Sequence, residues 1–214
     1  MSLHARETPS LVIFDLGGVL IDWDPRYLFR TLLRDRDEVE AFLEEISFAA
    51  WNAELDAGAP FGAAVDRLAA RHPDRAALIR AFRDRWPETV GGEVPGTVEV
   101  LRELRAAGIR LFALSNWSAE TFPAVLERFE FLRWFEGIVI SGQVGAIKPA
   151  IRPYIYLLER HGIQPSAAVF IDDAPENVAA ASRLGLLGIR FGDAASLRSS
   201  LVELGLLGDL VQPS

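Results

Sequence analysis

Asp15 closes an apolar run, Leu11-Val12-Ile13-Phe14, and opens a glycine-rich turn, Leu16-Gly17-Gly18-Val19-Leu20. A carboxylate at the end of a buried strand, followed by residues that let a ligand approach the backbone, has the placement of a nucleophile. Three further stations follow along the chain: Ser115 and Asn116 after one apolar run, Lys148 before Pro149, and the acidic pair Asp172-Asp173 after another. Each has a structural use when taken alone. Asp15 suits a turn, Ser115 and Asn116 suit a helix cap, Lys148 suits a solvated loop, and Asp173 with Glu176 suits a capping box. Together they supply a carboxylate nucleophile, hydroxyl and amide donors, an ammonium and an acidic pair able to hold a hard cation. Phosphoryl transfer needs this combination, because positioning and charge neutralisation carry most of its catalysis.

The elements that must position these residues are legible as five apolar runs: Leu11 to Leu16, Arg110 to Ser115, Gly137 to Ile140, Ala168 to Asp172, and Leu187 to Phe191. Continuous rather than alternating apolarity predicts strands buried on both faces of a parallel sheet. Helical patterns lie between them, at Val98 to Ala107, Pro153 to His161 and Asn177 to Leu184, each followed by the glycine expected at a helix stop. The alternation predicts an α/β, doubly wound parallel sheet with ligands at the carboxyl ends of its strands. The stretch 24–92 breaks the pattern. Its apolar spacing, at Val39, Phe42, Leu43 and Ile46, at Phe61, Val65 and Leu68, and at Leu78, Phe82 and Trp86, is helical only. We expect a helical cap domain over 24–92 inserted into a core domain of 1–23 and 93–214. Gly91-Gly92 and Pro95-Gly96 are the expected hinge.

Half of the 214 residues are apolar, and the formal net charge is −8. That charge argues against nucleic acid and anionic membrane as partners, since both draw affinity from basic patches. The chain has no cysteine, which excludes disulfides and thiolate metal sites. A polar N-terminal stretch and the shortness of the apolar run behind it give no signal peptide or membrane span, so the expectation is a cytoplasmic protein, monomer or homodimer.

With its four motifs in register from Leu11 to about Phe191, the sequence resembles the haloacid dehalogenase-like hydrolase superfamily, in the subgroup with a helical cap after the first motif. Phe-Asp-Leu-Gly-Gly-Val at 14–19 matches the nucleophile motif, so the resemblance implies that Asp15 attacks phosphorus and becomes an aspartyl-phosphate. It implies that Ser115, with the Asn116 region, binds the phosphoryl group and that Lys148 offsets charge on nucleophile and phosphate. It also implies a Mg²⁺ held by Asp15, the Gly17 carbonyl and Asp173, with Asp172 supporting, and a strand order of 5-4-1-2-3. The pattern departs at Gly17, where family phosphatases usually carry a second aspartate that protonates the leaving group. Such acid–base help is worth about 10² to 10⁴ in rate. Asp22 and Asp24 are the nearest stand-ins, with a turn or cap-entrance role as the alternative for each, and Trp23 between them suits packing or, failing that, the entrance. The reading is a Mg²⁺-dependent phosphatase of a small phosphorylated metabolite, with sugar phosphates foremost. Arg26, Arg30 and His72 read first as solvated surface positions and second as substrate contacts. Two alternatives stay open: a metal-independent 2-haloacid dehalogenase, whose halide leaving group needs no proton, and a binding or regulatory protein without turnover. The acidic pair favours the first reading, because without a cation it would add repulsion beside Asp15.

Overall fold

The computed structural model describes residues 8–208. Its strands are β1 (Leu11–Phe14), β2 (Ile21–Trp23), β3 (Val90–Glu93), β4 (Arg110–Ser115), β5 (Gly137–Ile140), β6 (Ala168–Asp172) and β7 (Leu187–Arg190). Five of them form one parallel sheet in the order β5-β4-β1-β6-β7. Numbering only these sheet strands along the chain and reading from the β7 edge gives 5-4-1-2-3, the order that the resemblance implied, with the Asp15 strand in the centre.

Alternate residues of β1 enter opposite cores, which is why its sequence is apolar throughout. Val12 and Phe14 join the cluster that contains Val100, Leu104, Leu197 and Leu201, whereas Leu11 and Ile13 pack with Tyr154, Leu157 and Ala181. The helices Thr97–Ala106 and Ala194–Glu203 thus cover one face, and Ile151–His161 and Pro175–Arg183 cover the other. The first strand stops before the expected Leu16 because the chain folds back at once. The Leu16 carbonyl accepts from the backbone N–H groups of Leu20 (2.9 Å) and Ile21 (2.8 Å).

Between β2 and β3 the chain is helical, with α-helices at Pro25–Phe29, Arg36–Glu45, Phe48–Asp56, Phe61–Arg71 and Ala76–Asp84. This segment has an aromatic centre of its own, in which Phe82 lies 5.2 Å from Phe48, 5.5 Å from Trp51 and 5.8 Å from Phe61 between ring centroids. Its two connections to the sheet differ from expectation. Gly91 and Gly92 are not a loop hinge; they belong to β3, which pairs antiparallel with β2. Glycine suits this ribbon because a Cβ at Gly91 would lie 2.6 Å from Asp22 Oδ2. Arg128 fastens the ribbon to the sheet domain by donating to the carbonyls of Val90 (2.9 Å) and Gly91 (2.8 Å). Among the described residues, no helix is long and apolar enough to cross a membrane.

Candidate active site

The parallel register brings the sequence stations together at one edge of the sheet. Asp15 follows β1 directly, its backbone N–H donating to the Ile171 carbonyl of β6 at 2.8 Å, and Ser115 and Asp172 end the neighbouring strands β4 and β6. Asp15 Oδ1 accepts from Ser115 Oγ (2.7 Å) and from the Leu16 backbone N–H (2.7 Å). Its Oδ2 lies 3.0 Å from Lys148 Nζ. Lys148 is buried, and its three ammonium protons match three acceptors: Asp15 Oδ2, Asp172 Oδ2 at 2.6 Å and the Leu114 carbonyl at 2.8 Å. Asn116 holds the lysine's own backbone from both sides, donating from Nδ2 to its carbonyl (3.0 Å) and accepting its N–H at Oδ1 (2.8 Å).

Asp172 is fully buried and closely held. Its oxygens accept from Lys148, from the Ala174 backbone N–H (2.9 Å) and from Asn177 Nδ2 (3.0 and 3.1 Å). Sequence reasoning missed Asn177, although a polar residue in the first turn after an acidic pair is a usable signal. The capping box with Asp173 is not formed: Ala174 caps the helix Pro175–Arg183, without a side-chain bond. Asp173 is exposed and leans towards the nucleophile turn, where a Cβ on Gly18 would lie 2.7 Å from its Oδ2. Asp15, Asp172 and Asp173 can each offer one carboxylate oxygen, all within 4.8 Å of one another. Such an all-oxygen acidic set fits a hard divalent cation.

Burial pushes the Asp15 carboxyl up to about 6, against the pull of the Lys148 ammonium and with a further push from Asp172. Asp173 is also raised, mainly by burial and then by Asp172. The electrostatic arrangement is therefore one of excess negative charge, held in check by one lysine.

A pocket of about 60 Å³ opens beside these strand ends, lined by Gly17, Asn116, Trp117, Ser118 and Thr121 of the sheet domain and by Trp23, Asn52, Asp56, Phe61 and Trp86. Trp23 and Asn52 also line a second pocket of about 540 Å³, with Arg26, Glu40, Leu43 and Phe48. Neither Asp22 nor Asp24 lines either pocket. Asp22 Oδ2 accepts from Tyr27 Oη at 2.6 Å, and Asp24 caps the helix Pro25–Phe29 by accepting from the Arg26 N–H at 2.8 Å. Both proposed stand-in acids are thus engaged elsewhere. Of the three side chains read as solvated surface or substrate contacts, Arg26 lines the larger pocket in an ion pair with Glu40 (2.6 Å), and Arg30 and His72 line neither.

The sequence profile of the haloacid dehalogenase-like hydrolases matches residues 9–185. The chain is a haloacid dehalogenase-like hydrolase. The hydrolase is 27% identical over 204 residues to the sesquiterpene phosphatase astK of Aspergillus oryzae, covering 92% of this chain and 97% of the fungal one. It is 27% identical over 198 residues to a phosphoglycolate phosphatase of Pseudomonas savastanoi, covering 86% of this chain and 70% of that one. Among solved structures, the magnesium complex of the family enzyme bt-2542 from Bacteroides thetaiotaomicron superposes on the hydrolase with a TM-score of 0.68. It shares 20% identity and covers 92% of this chain and 99% of that chain.

Proposed function

We propose that this hydrolase is a Mg²⁺-dependent phosphatase of a small phosphorylated metabolite, acting through an aspartyl-phosphate on Asp15. The observation that carries the reading is the Asp15–Lys148–Asp172 arrangement with Ser115 on the nucleophile. One Asp15 oxygen is oriented by Ser115 and the Leu16 N–H, and the ammonium that faces the other also faces an entering phosphoryl group. Phosphatase relatives in a fungus and a bacterium support the same chemistry.

In this mechanism Asp15 attacks phosphorus, and Ser115 and Lys148 shift their hydrogen bonds to phosphoryl oxygens, with Asn116 keeping the Lys148 segment in place. Asp15, the Gly17 carbonyl and Asp173 would hold Mg²⁺. Asp172 supports the site chiefly by anchoring Lys148, since its oxygens are already occupied. Bound there, Mg²⁺ would neutralise charge on nucleophile and phosphate and so make their approach favourable. The segment 24–92 serves as the cap that excludes water and selects the leaving group.

The pocket walls refine the substrate. Four aromatic side chains, Trp23, Phe61, Trp86 and Trp117, line the cavity beside Gly17, and Trp117 Nε1 is buried without a hydrogen-bond partner. Such walls favour an apolar or planar leaving group with one acceptor over a polyhydroxylated sugar. The sesquiterpene phosphatase named above is in keeping with this preference. A panel of phosphate esters, assayed for phosphate release with and without Mg²⁺, tests the reading. Release requiring the metal, fastest for apolar esters, is expected; halide release from a 2-haloacid that persists in a chelator would overturn it.

A further inference from the structure

We propose that Asp56, at the end of the helix Phe48–Asp56, is the group that gives a proton to the leaving oxygen and later takes one from water, in place of the side chain that Gly17 lacks. This rests on the phosphatase reading above.

The placement is built from several contacts. The Asp56 carbonyl accepts from Ser141 Oγ at 2.6 Å, and the same Oγ accepts from the Trp117 backbone N–H at 2.9 Å. Two residues on, Gly58 has a φ of +97°, and a Cβ there would lie 2.8 Å from the Gly142 carbonyl, so the turn packs backbone against backbone. Phe61 then donates its N–H to Glu120 Oε1 at 2.7 Å. The segment 56–61 is thereby seated on the loops that follow β4 and β5, and the first of these loops carries Asn116.

From this seat the Asp56 side chain lines the pocket whose other wall is Gly17, Asn116 and Trp117, and among the described residues no other ionisable side chain lines it. Asn52 Nδ2 donates to Asp56 Oδ2 at 2.9 Å, and the Ser118 backbone N–H also bonds the carboxyl, so the group is held in place at the pocket wall. The charged group facing it is Asp15, and the polar groups around it are Asn52 on its own helix and the Ser118 backbone N–H on the loop after β4. Burial, followed by the Asp15 charge, pushes Asp56 up to about 7, with Ser118 pulling the other way. Both protonation states are then populated near neutral pH, as acid–base work requires.

The steps balance. As an Asp15 oxygen bonds to phosphorus and the bond to the leaving oxygen breaks, the Asp56 carboxyl protonates that oxygen, releasing a neutral alcohol and leaving a carboxylate. Water then attacks the same phosphorus and Asp56 takes its proton. The bond to Asp15 breaks, returning Asp15 as carboxylate, Asp56 as acid, and phosphate.

The experiment compares Asp56→Asn with wild type on an apolar alkyl phosphate and on 4-nitrophenyl phosphate, reading kcat/KM, which covers steps only through loss of the leaving group. The alkyl ester is expected to lose about 10² to 10⁴, whereas the nitrophenyl ester, whose leaving group needs no proton, loses far less. The variant is also expected to show a burst of nitrophenol approaching one equivalent, because the phospho-enzyme lacks its base. In wild type, alkyl kcat/KM is expected to fall with rising pH as the Asp56 carboxyl loses its proton, while the nitrophenyl value does not; this needs no variant to fold. An equal loss on both esters, or a change in KM alone, overturns the assignment while leaving the phosphatase reading intact. A wild type that releases phosphate from no ester overturns both.

Discussion

At the residue scale, Lys148 is the ion on which the site's stability depends. Its ammonium is shared by two buried carboxylates, and removing one member of such a group leaves the others uncompensated, at a cost of about 3–5 kcal/mol. Lys148→Met is therefore expected to lower the melting temperature strongly at pH 8. The deficit should shrink as pH falls and the orphaned Asp15 carboxyl takes up a proton, which thermal melts across pH would show. Asp15→Asn keeps the shape of the side chain and relieves the negative excess, so turnover should vanish with the fold intact by circular dichroism; activity above a few per cent would remove Asp15 as nucleophile. Asp56 gives the opposite sign from an ordinary structural residue. Its carboxyl is raised from an ordinary value of 3.8 to about 7, so between those limits the folded state binds the extra proton and stability declines as pH rises. Asp56→Asn should match wild type below a pH of about 4 and exceed it above about 7. The gain should be about 1–2 kcal/mol after allowance for the solvent that reaches this half-buried group. A destabilised variant at pH 8 would mean that the side chain serves packing.

At the element scale, the strands were legible and the connections were not. Runs such as Ala168 to Ile171 are apolar at every position because both faces of the sheet are covered, and this signal fixes their bounds closely. The β2–β3 ribbon gives no such signal, being three and four residues long with two glycines, and its pairing depends on a partner some seventy residues away in sequence. The helix Phe48–Asp56 was overlooked for a different reason. Its entry at Ser47 has a φ of +50° and no side-chain cap, so the usual start signal is missing even though Phe48, Trp51 and Leu55 are buried at helical spacing. With that helix went Asp56. Asp22 and Asp24 were closer to the nucleophile in sequence, but helix capping and the Tyr27 hydroxyl claim them. The seating of this helix yields a prediction of its own: Gly58→Ala forces a Cβ against the Gly142 carbonyl at a positive φ. The turn must shift, and kcat/KM should fall more for an alkyl ester than for 4-nitrophenyl phosphate, although the substituted residue touches neither substrate. An equal fall would detach the helix end from proton transfer.

At the scale of the whole molecule, the pocket beside Asp15 is lined both from the strand ends of the sheet and from the helical segment between β2 and β3. The strand ends and the loop after β4 supply carboxylates, a lysine and Trp117, and the helical segment supplies Phe61, Trp86 and Asp56. Metal binding should consequently be a property of the sheet domain alone and separable from proton transfer. The folded chain brings the Asp15 and Asp173 carboxylates together, which the unfolded chain does not, so a bound ion stabilises it by mass action, by about 2.7 kcal/mol at a hundredfold excess over Kd. Mg²⁺ titration of the wild type, followed by thermal melting without substrate, should raise the melting temperature, and a chelator should reverse the rise. Asp173→Asn removes an exposed carboxylate that, among the described residues, accepts from no neighbouring side chain, so its metal-free stability should stay close to wild type while the Mg²⁺-dependent rise is lost. Asp56→Asn, standing on the helical segment, should retain the whole rise. If Asp173→Asn kept the rise as well, the metal would not be held by the Asp15–Asp173 oxygens, and the neutralisation of the nucleophile would fall to Lys148.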